Sequence, residues 1–573
     1  MNSDATIVLN AHRLYVGGKA HTPVLRALLV TPDGQAALGT HGDGLLLGRL
    51  DKDRSWHRLT KEQGLSWRNV SALAAKDDNL WVGTSGGGAA LIRRWRSSEP
   101  EVYALRPFAR RHRYITGVGP WGSGAFVATA DGLLRLNHNG EIEEEWARET
   151  FGHEYLTALW VNEETHTVVA GNIRAGMISR DGGDSWTALW PEETQDARRN
   201  RVRHILPLPG GDGFAVATDG GLAISHDMGT SWNWPETALG PEPLRRIAFA
   251  EDGTVLAASY QGLLNCPLDG GGVVLQPREE HGPSNDIYDV AVWQGAIYLA
   301  TGAGLISTAA KAPATPPRKP EIFDLEPLPL KDGWPFLAIE RPVAPEDQPY
   351  PDQTYLFATT CGGEFRPHEG IDVNVIPDAP MRACAAGRIR RVRERDGNAV
   401  YLDHDQRYNG WIMTTVYVHN NKIVVREHER VEPGQIIALA GDKGRATNSH
   451  LHYEVRWRPE DVSLDKSFVT NPGLWLKPAE PNLGAVAFRY IKGQEPVRIT
   501  GIAKPYPAET PFAYAESPHP SLIFDAPGSG WIVISDVPAG RHALEFRQGN
   551  RISRAAVTVE AGALRLFDLP PMG

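Results

Sequence analysis

Two short pieces of the chain carry side chains suited to a divalent metal: Pro367-His-Glu-Gly-Ile-Asp-Val-Asn-Val375 and, about eighty residues on, Ser449-His-Leu-His-Tyr-Glu-Val455. In the second, His450 and His452 alternate with Leu451, Tyr453 and Val455, so a strand puts both imidazoles on one face. In the first, Ile371, Val373 and Val375 alternate with Asp372 and Asn374, which predicts a strand whose polar face carries Asp372. His368 lies four residues before Asp372, about 13 Å away in a fully extended chain. That is too far for two donors that must each approach one zinc to about 2 Å, so the chain must bend, and Gly370 permits it. A histidine, a carboxylate and a second histidine fill three positions of a tetrahedral zinc and leave the fourth open to water, as in catalytic rather than structural sites. A third piece, Met413-Thr-Thr-Val-Tyr-Val-His419, places Thr415, Tyr417 and His419 on one strand face, so that His419 reaches the same cleft from a neighbouring strand. An imidazole titrating near neutrality suits the passage of protons to and from a metal-held water.

These residues resemble the lysostaphin-type zinc endopeptidases, which cut peptide cross-links of bacterial cell walls. The family pattern is His-x-x-x-Asp, then Tyr-x-His, then a Gly-x-x-Gly turn before His-Leu-His. It stands here as His368-Glu-Gly-Ile-Asp372, Tyr417-Val-His419, Gly441-Asp-Lys-Gly444 and His450-Leu-His452, and Asn471-Pro-Gly-Leu-Trp-Leu-Lys-Pro478 looks like the family's ending. The match covers about 130 residues, under a quarter of the chain. The resemblance implies one zinc ion per chain held by His368, Asp372 and His452. His419 and His450 would be the catalytic residues beside the metal-bound water, and the substrate would be peptidoglycan or another peptide. The competing expectation is a non-catalytic adaptor that binds a protein or glycan and carries an inactive peptidase-like fold, and the complete ligand set stands against it. Glu369 after His368 suggests the helical His-Glu-x-x-His motif, but Asp372 occupies the fifth position and Gly370 with a β-branched run opposes a helix.

At 573 residues, 41% hydrophobic and 22% charged, the chain is too long for one core and is sized for three or four domains. A formal charge of −10 argues against nucleic acid as the main partner. The three cysteines, Cys266, Cys361 and Cys384, make no disulfide framework. Cys361 and Cys384 fall in one expected domain, where two small buried thiols are favoured over a pair. No run approaches 18 apolar residues, so no membrane span is expected. The resemblance implies an extracellular or cell-envelope location. The N-terminus shows neither the basic start nor the apolar stretch of a secretory signal, which leaves a removed leader, non-classical export or cytoplasmic retention open.

Residues 1–310 repeat themselves. The phrase Leu38-Gly-Thr-His-Gly-Asp-Gly-Leu45 returns in seven versions, among them Val82-Gly-Thr-Ser-Gly-Gly-Gly88 and Val216-Ala-Thr-Asp-Gly-Gly-Leu222, at spacings of 41 to 47 residues. Strand, glycine-rich turn and strand at that period predict a seven-bladed β-propeller. Ser179-Arg-Asp-Gly-Gly-Asp-Ser-Trp186 and Ser225-His-Asp-Met-Gly-Thr-Ser-Trp232 match the Asp-box turn of sialidase-like and sortilin-like propellers. Asp181 and Asp227 suit backbone capping there, and Trp186 and Trp232 suit packing. No sequence motif marks the arginine cluster a sialidase would need. The expected organisation is all-β: a propeller over 1–310, a proline-rich linker over 311–320, a β-rich lysostaphin-type peptidase domain over 321–480, and a small regulatory-like β-sandwich over 481–573.

Overall fold

Each expected repeat folds as an antiparallel meander in the computed structural model. The structure describes residues 7–571 apart from 9–13, 17–18, 22, 52–55, 106–111, 152–154, 173–174, 190–196, 236–242, 260–261, 269–273, 277–286, 302–303, 310–321, 331–332, 345–346, 349–352, 359–366, 376–377, 395–396, 445–448, 504–511 and 549–550. The expected linker and Cys361 lie outside the described residues. The chain divides into two compact units, Met1–Pro317 and Arg318–Gly573.

In the first unit the opening strands of seven sheets are β1 (Leu25–Val30), β2 (Val70–Lys76), β3 (Ile115–Trp121), β4 (Leu156–Asn162), β5 (Val202–Pro207), β6 (Leu244–Phe249) and β7 (Ile287–Trp293). Each packs against the opening strand of the next sheet, and β7 packs against β1, which closes the ring of a seven-bladed propeller. Ile7–Val8 pairs with the last strand of the seventh sheet, so both ends of the ring share one sheet. The second strands, such as Gln35–Thr40 and Gly124–Thr129, are buried along their whole length because a blade covers each face. This explains the glycines in these strands. A Cβ on Gly39, Gly83 or Gly171 would stand 2.7, 2.5 or 2.4 Å from Val70, Ile115 or Val202 at the head of the next blade. Blades stack only where that position is small.

The two aspartate turns are held as their residue types predict. Asp181 Oδ1 accepts from the Ser185 amide at 2.9 Å and Asp227 Oδ1 from the Ser231 amide at 2.8 Å, while Gly183 and Gly229 take φ of 110° and 91°. Hydrogen bonds from Ser185 and Ser231 hold both carboxyls down at about 2.

The second unit is built on one large sheet. Seven of its eight strands are β8 (Gln353–Tyr355), β9 (Ile371–Asn374), β10 (Gly387–Arg393), β11 (Ala399–Tyr408), β12 (Trp411–Val418), β13 (Arg430–Val431) and β14 (His450–Pro459), in the spatial order β8-β9-β14-β12-β11-β10-β13, and the eighth, Phe468–Thr470, also pairs with β14. One face carries Leu451, Tyr453, Val455 and Trp457 of β14 with Met413 and Tyr417 of β12 into a buried core. The period of 2 leaves His450, His452, Glu454 and Arg456 on the other face.

Beyond Pro478 the packing continues without a break. A three-stranded sheet (Leu483–Arg489, Trp531–Pro538, Leu564–Asp568) lies against a five-stranded one that includes Gly540–Gln548 and Arg551–Val559, a β-sandwich. Val486 and Phe488 point into the sandwich core, whereas Ala485 and Ala487 of the same strand join the core of the large sheet. The Arg341 guanidinium reaches both carboxylate oxygens of Asp536 at 2.5 Å across the same junction.

Candidate active site

β9 and β14 run antiparallel with Asp372 opposite His452, so sheet register alone sets a carboxylate beside an imidazole. The chain turns just before β9, and Gly370 matters there for a reason other than bending. A Cβ on it would lie 2.4 Å from the Tyr453 carbonyl oxygen, so only glycine lets this segment pass against β14. The turn carries His368 back over the sheet. Three donor atoms then form a triangle: His368 Nε2 to Asp372 Oδ1 is 3.1 Å, His368 Nε2 to His452 Nδ1 is 2.8 Å, and His452 Nδ1 to Asp372 Oδ1 is 3.0 Å. Ligand atoms around a tetrahedral zinc with bonds of about 2.0–2.1 Å stand about 3.3 Å apart, and the triangle fits that spacing with a slight opening. Among the described residues these three form the group of donors able to share one metal ion.

The partners of the other ring nitrogens decide which nitrogens are free. His368 Nδ1 donates to the Leu356 carbonyl at 3.1 Å, and His452 Nε2 donates to Glu454 Oε1 at 3.0 Å. His368 Nε2 and His452 Nδ1 are therefore the ring nitrogens that face the triangle. Burial pushes the His452 pKa down, but its hydrogen bonds to Asp372 and Glu454 outweigh this and hold it at about 10. A cation bound at Nδ1 takes the place of that proton. Burial would raise the Asp372 carboxyl, yet the charges of His450 and His368 hold it well below the usual carboxylate range.

His419 and His450 stand over the same spot. Their ring centroids are 4.6 Å apart, His419 is 5.9 Å from His452, and His450 Nε2 is 3.5 Å from Asp372 Oδ2. His419 does not arrive there by strand alternation. β12 ends at Val418, opposite His452, and Tyr417 points to the other face, where its hydroxyl meets Cys384 Sγ at 3.0 Å. His419 follows the strand with φ of 69°, and this left-handed residue turns its ring onto the histidine face. Its Nδ1 donates to the Lys443 carbonyl at 2.6 Å, which leaves Nε2 as an acceptor. Burial, then the charge of His450, push its pKa down to about 4, so the ring is neutral at physiological pH.

Two side chains that contact the site escaped the sequence reading. Glu454 holds His452 and also accepts from Arg456 Nε at 2.5 Å, and Arg456 Nη2 reaches Glu369 at 2.5 Å. Burial works against the Glu454 charge, but Arg456 and then His452 hold its carboxyl down at about 2. The signal was present: Glu454 and Arg456 continue the alternation of His450 and His452 along β14, so all four share one face.

Residues 366–465 match the family model described as Peptidase family M23. The segment is 39% identical over 104 residues to peptidoglycan DD-endopeptidase ShyB of Vibrio cholerae, covering 18% of this chain and 23% of that protein. It is 39% identical over 95 residues to an uncharacterized metalloprotease of Haemophilus influenzae, covering 16% and 19%, and 29% identical over 107 residues to murein hydrolase activator NlpD of Escherichia coli, covering 18% and 27%. The chain thus spans about a fifth to a quarter of the length of these relatives. Among solved structures, the extracellular domain of the putative one component system BT4673 from B. thetaiotaomicron aligns over 98% of this chain and 99% of that chain, at 10% identity and a TM-score of 0.43. Virginiamycin B lyase from Staphylococcus aureus aligns over 50% and 94%, at 12% identity and 0.41, and neither likeness bears on function.

Proposed function

We propose that the chain is a zinc-dependent endopeptidase that hydrolyses peptide cross-links of bacterial peptidoglycan in the cell envelope. The observation that carries this reading is the donor triangle of His368, Asp372 and His452 with two further imidazoles above it, in the segment that matches the M23 family. Zinc held there would polarise the scissile carbonyl and lower the pKa of a bound water toward about 7. His419 takes the proton of the attacking water at Nε2, since its Nδ1 is committed to Lys443. His450 steadies the charge that develops on the carbonyl oxygen. Glu454 and Arg456 fix the tautomer and tilt of His452. The relatives named DD-endopeptidases support the substrate class, and the propeller is assigned to binding substrate or a partner.

The likeness to a murein hydrolase activator favours a second reading, a non-catalytic binding module on the same scaffold. Digestion of purified peptidoglycan with mass analysis of the fragments decides between them, together with zinc content of the purified chain. About one equivalent of zinc and released cross-link fragments support the enzyme. Neither zinc nor fragments would leave only the binding module.

A further inference from the structure

His419 reaches the cleft only because its backbone holds a φ of 69°, a left-handed conformation that a residue other than glycine keeps when its surroundings fix it. Those surroundings are two residues just before β11. β11 and β12 pair with Val400 opposite Tyr417, which brings Gly397 and Asn398 beside the residues that follow β12. The His419 amide donates to the Gly397 carbonyl at 2.6 Å. A Cβ on Gly397 would stand 3.2 Å from His419 Nδ1 and 3.3 Å from the Lys443 carbonyl oxygen, and its φ of 116° favours glycine as well.

Two asparagines close the arrangement from both sides. Asn398 Nδ2 donates to the Asn420 carbonyl at 2.9 Å, while Asn420 Nδ2 donates to the Asn398 carbonyl at 2.6 Å and to the Tyr417 carbonyl at 2.9 Å. The two side chains thus cross between the same pair of backbone segments in opposite directions. Asn420 is fully buried and spends both of its amide hydrogens on carbonyls. These bonds act on the backbone that carries the imidazole, not on the imidazole, whose Nδ1 answers to the Lys443 carbonyl. Each position needs an amide N–H, because a carboxylate of the same shape would set oxygen against a carbonyl oxygen.

We propose that Asn398 and Asn420 are positioning residues for His419: their reciprocal amide bonds hold the left-handed turn that brings its ring into the cleft. The inference rests on the reading of His419 as the base of the proposed peptidase, and it adds a requirement that the donor triangle does not impose. Displacing a reacting group by about 1 Å costs on the order of 10²-fold in rate, so a clasp on the backbone matters even though it touches no substrate. Asn398 itself has a φ of 48°, which asparagine tolerates better than most residues. Its amide and its backbone preference are separable, because glycine keeps the backbone and removes the amide.

Asn398→Gly and Asn398→Asp in the full chain test it, with Asn398 chosen because it is half-buried and Asn420 is not. Hydrogen exchange read by mass spectrometry, which needs no activity, should be about 3- to 10-fold faster over residues 417–421 in both variants, with residues 411–416 of β12 unchanged. On a soluble cross-linked muropeptide, kcat should fall by about 10- to 100-fold while KM and zinc content stay as in wild type. In a His419→Ala background the same substitutions should lower the residual rate no further. Unchanged exchange, faster exchange along all of β12, an unchanged kcat, or a further loss in the His419→Ala background each overturns the proposal. A wild-type chain that binds zinc and leaves the muropeptide intact overturns the peptidase reading instead, and the exchange comparison alone then decides whether the asparagines hold His419.

Discussion

His419 and Asp372 face the same point of the cleft, yet their removal has different consequences. Asp372 Oδ1 belongs to the donor triangle, whereas His419 spends one nitrogen on the Lys443 carbonyl and keeps the other as an acceptor. His419→Ala is therefore expected to lower hydrolysis by about 10²- to 10⁴-fold with zinc retained, and Asp372→Ala to lose both zinc and activity. Zinc content and peptide hydrolysis measured on the same preparations check this; loss of zinc from the His419 variant would show the roles reversed. Glu454 gives a finer test. Glu454→Gln keeps the shape of the side chain but removes the charge that orients His452, so zinc affinity falls by about 10- to 100-fold, read by competition with a chelator. Unchanged affinity would make Glu454 a partner of Arg456 only.

At the scale of the strand, alternation made most of the site legible. It put Asp372 on the face of His450 and His452, and it would have added Glu454 and Arg456 had it been followed two steps further. It failed at His419, because a strand end with a positive φ breaks the period and nothing in Tyr417-Val-His419 announces the break. The other face of the same strands was illegible for a different reason. Tyr417, Tyr453, Thr415 and His404 gather around Cys384 in a buried polar cluster assembled from four strands or loops, which no local pattern encodes. That cluster makes stability depend on pH. Burial pushes His404 down to about 4, whereas the unfolded chain binds that proton near 6.5. Stability is therefore full above about 6.5 and declines as pH falls toward 4, by about 3 kcal/mol from this group. Urea unfolding of wild type and His404→Gln at pH 7 and pH 4.5 should show the smaller loss in the variant. Equal losses would remove His404 as a cause.

At the scale of the molecule, the ring was readable because its repeat has a mechanical cause: Gly39, Gly83 and Gly171 of the second strands each meet the head of the next blade. The β-sandwich was readable as strands, but its attachment was not, because only the structure shows Ala485, Ala487, Val533, Leu564 and Leu566 completing the core beneath the large sheet. This decides where the chain can be cut. Ending a fragment at Pro478 would uncover that apolar face and break the partly buried Arg341–Asp536 pair, costs of several kcal/mol against a typical stability of about 5–15 kcal/mol. Residues 318–573 are instead the smallest piece expected to fold with the donor triangle intact, and residues 1–317, with a closed ring and its own packing, should also fold alone. The 318–573 piece should match the full chain on a short soluble peptide. On insoluble peptidoglycan it should fall behind by about 10²-fold or more, because a tethered binding module raises the effective concentration of the site at its target without altering the chemistry. Rates on both substrates, taken at equal zinc loading, check this. Equal rates of the 318–573 piece and the full chain on intact wall material would assign the propeller to a partner other than the substrate.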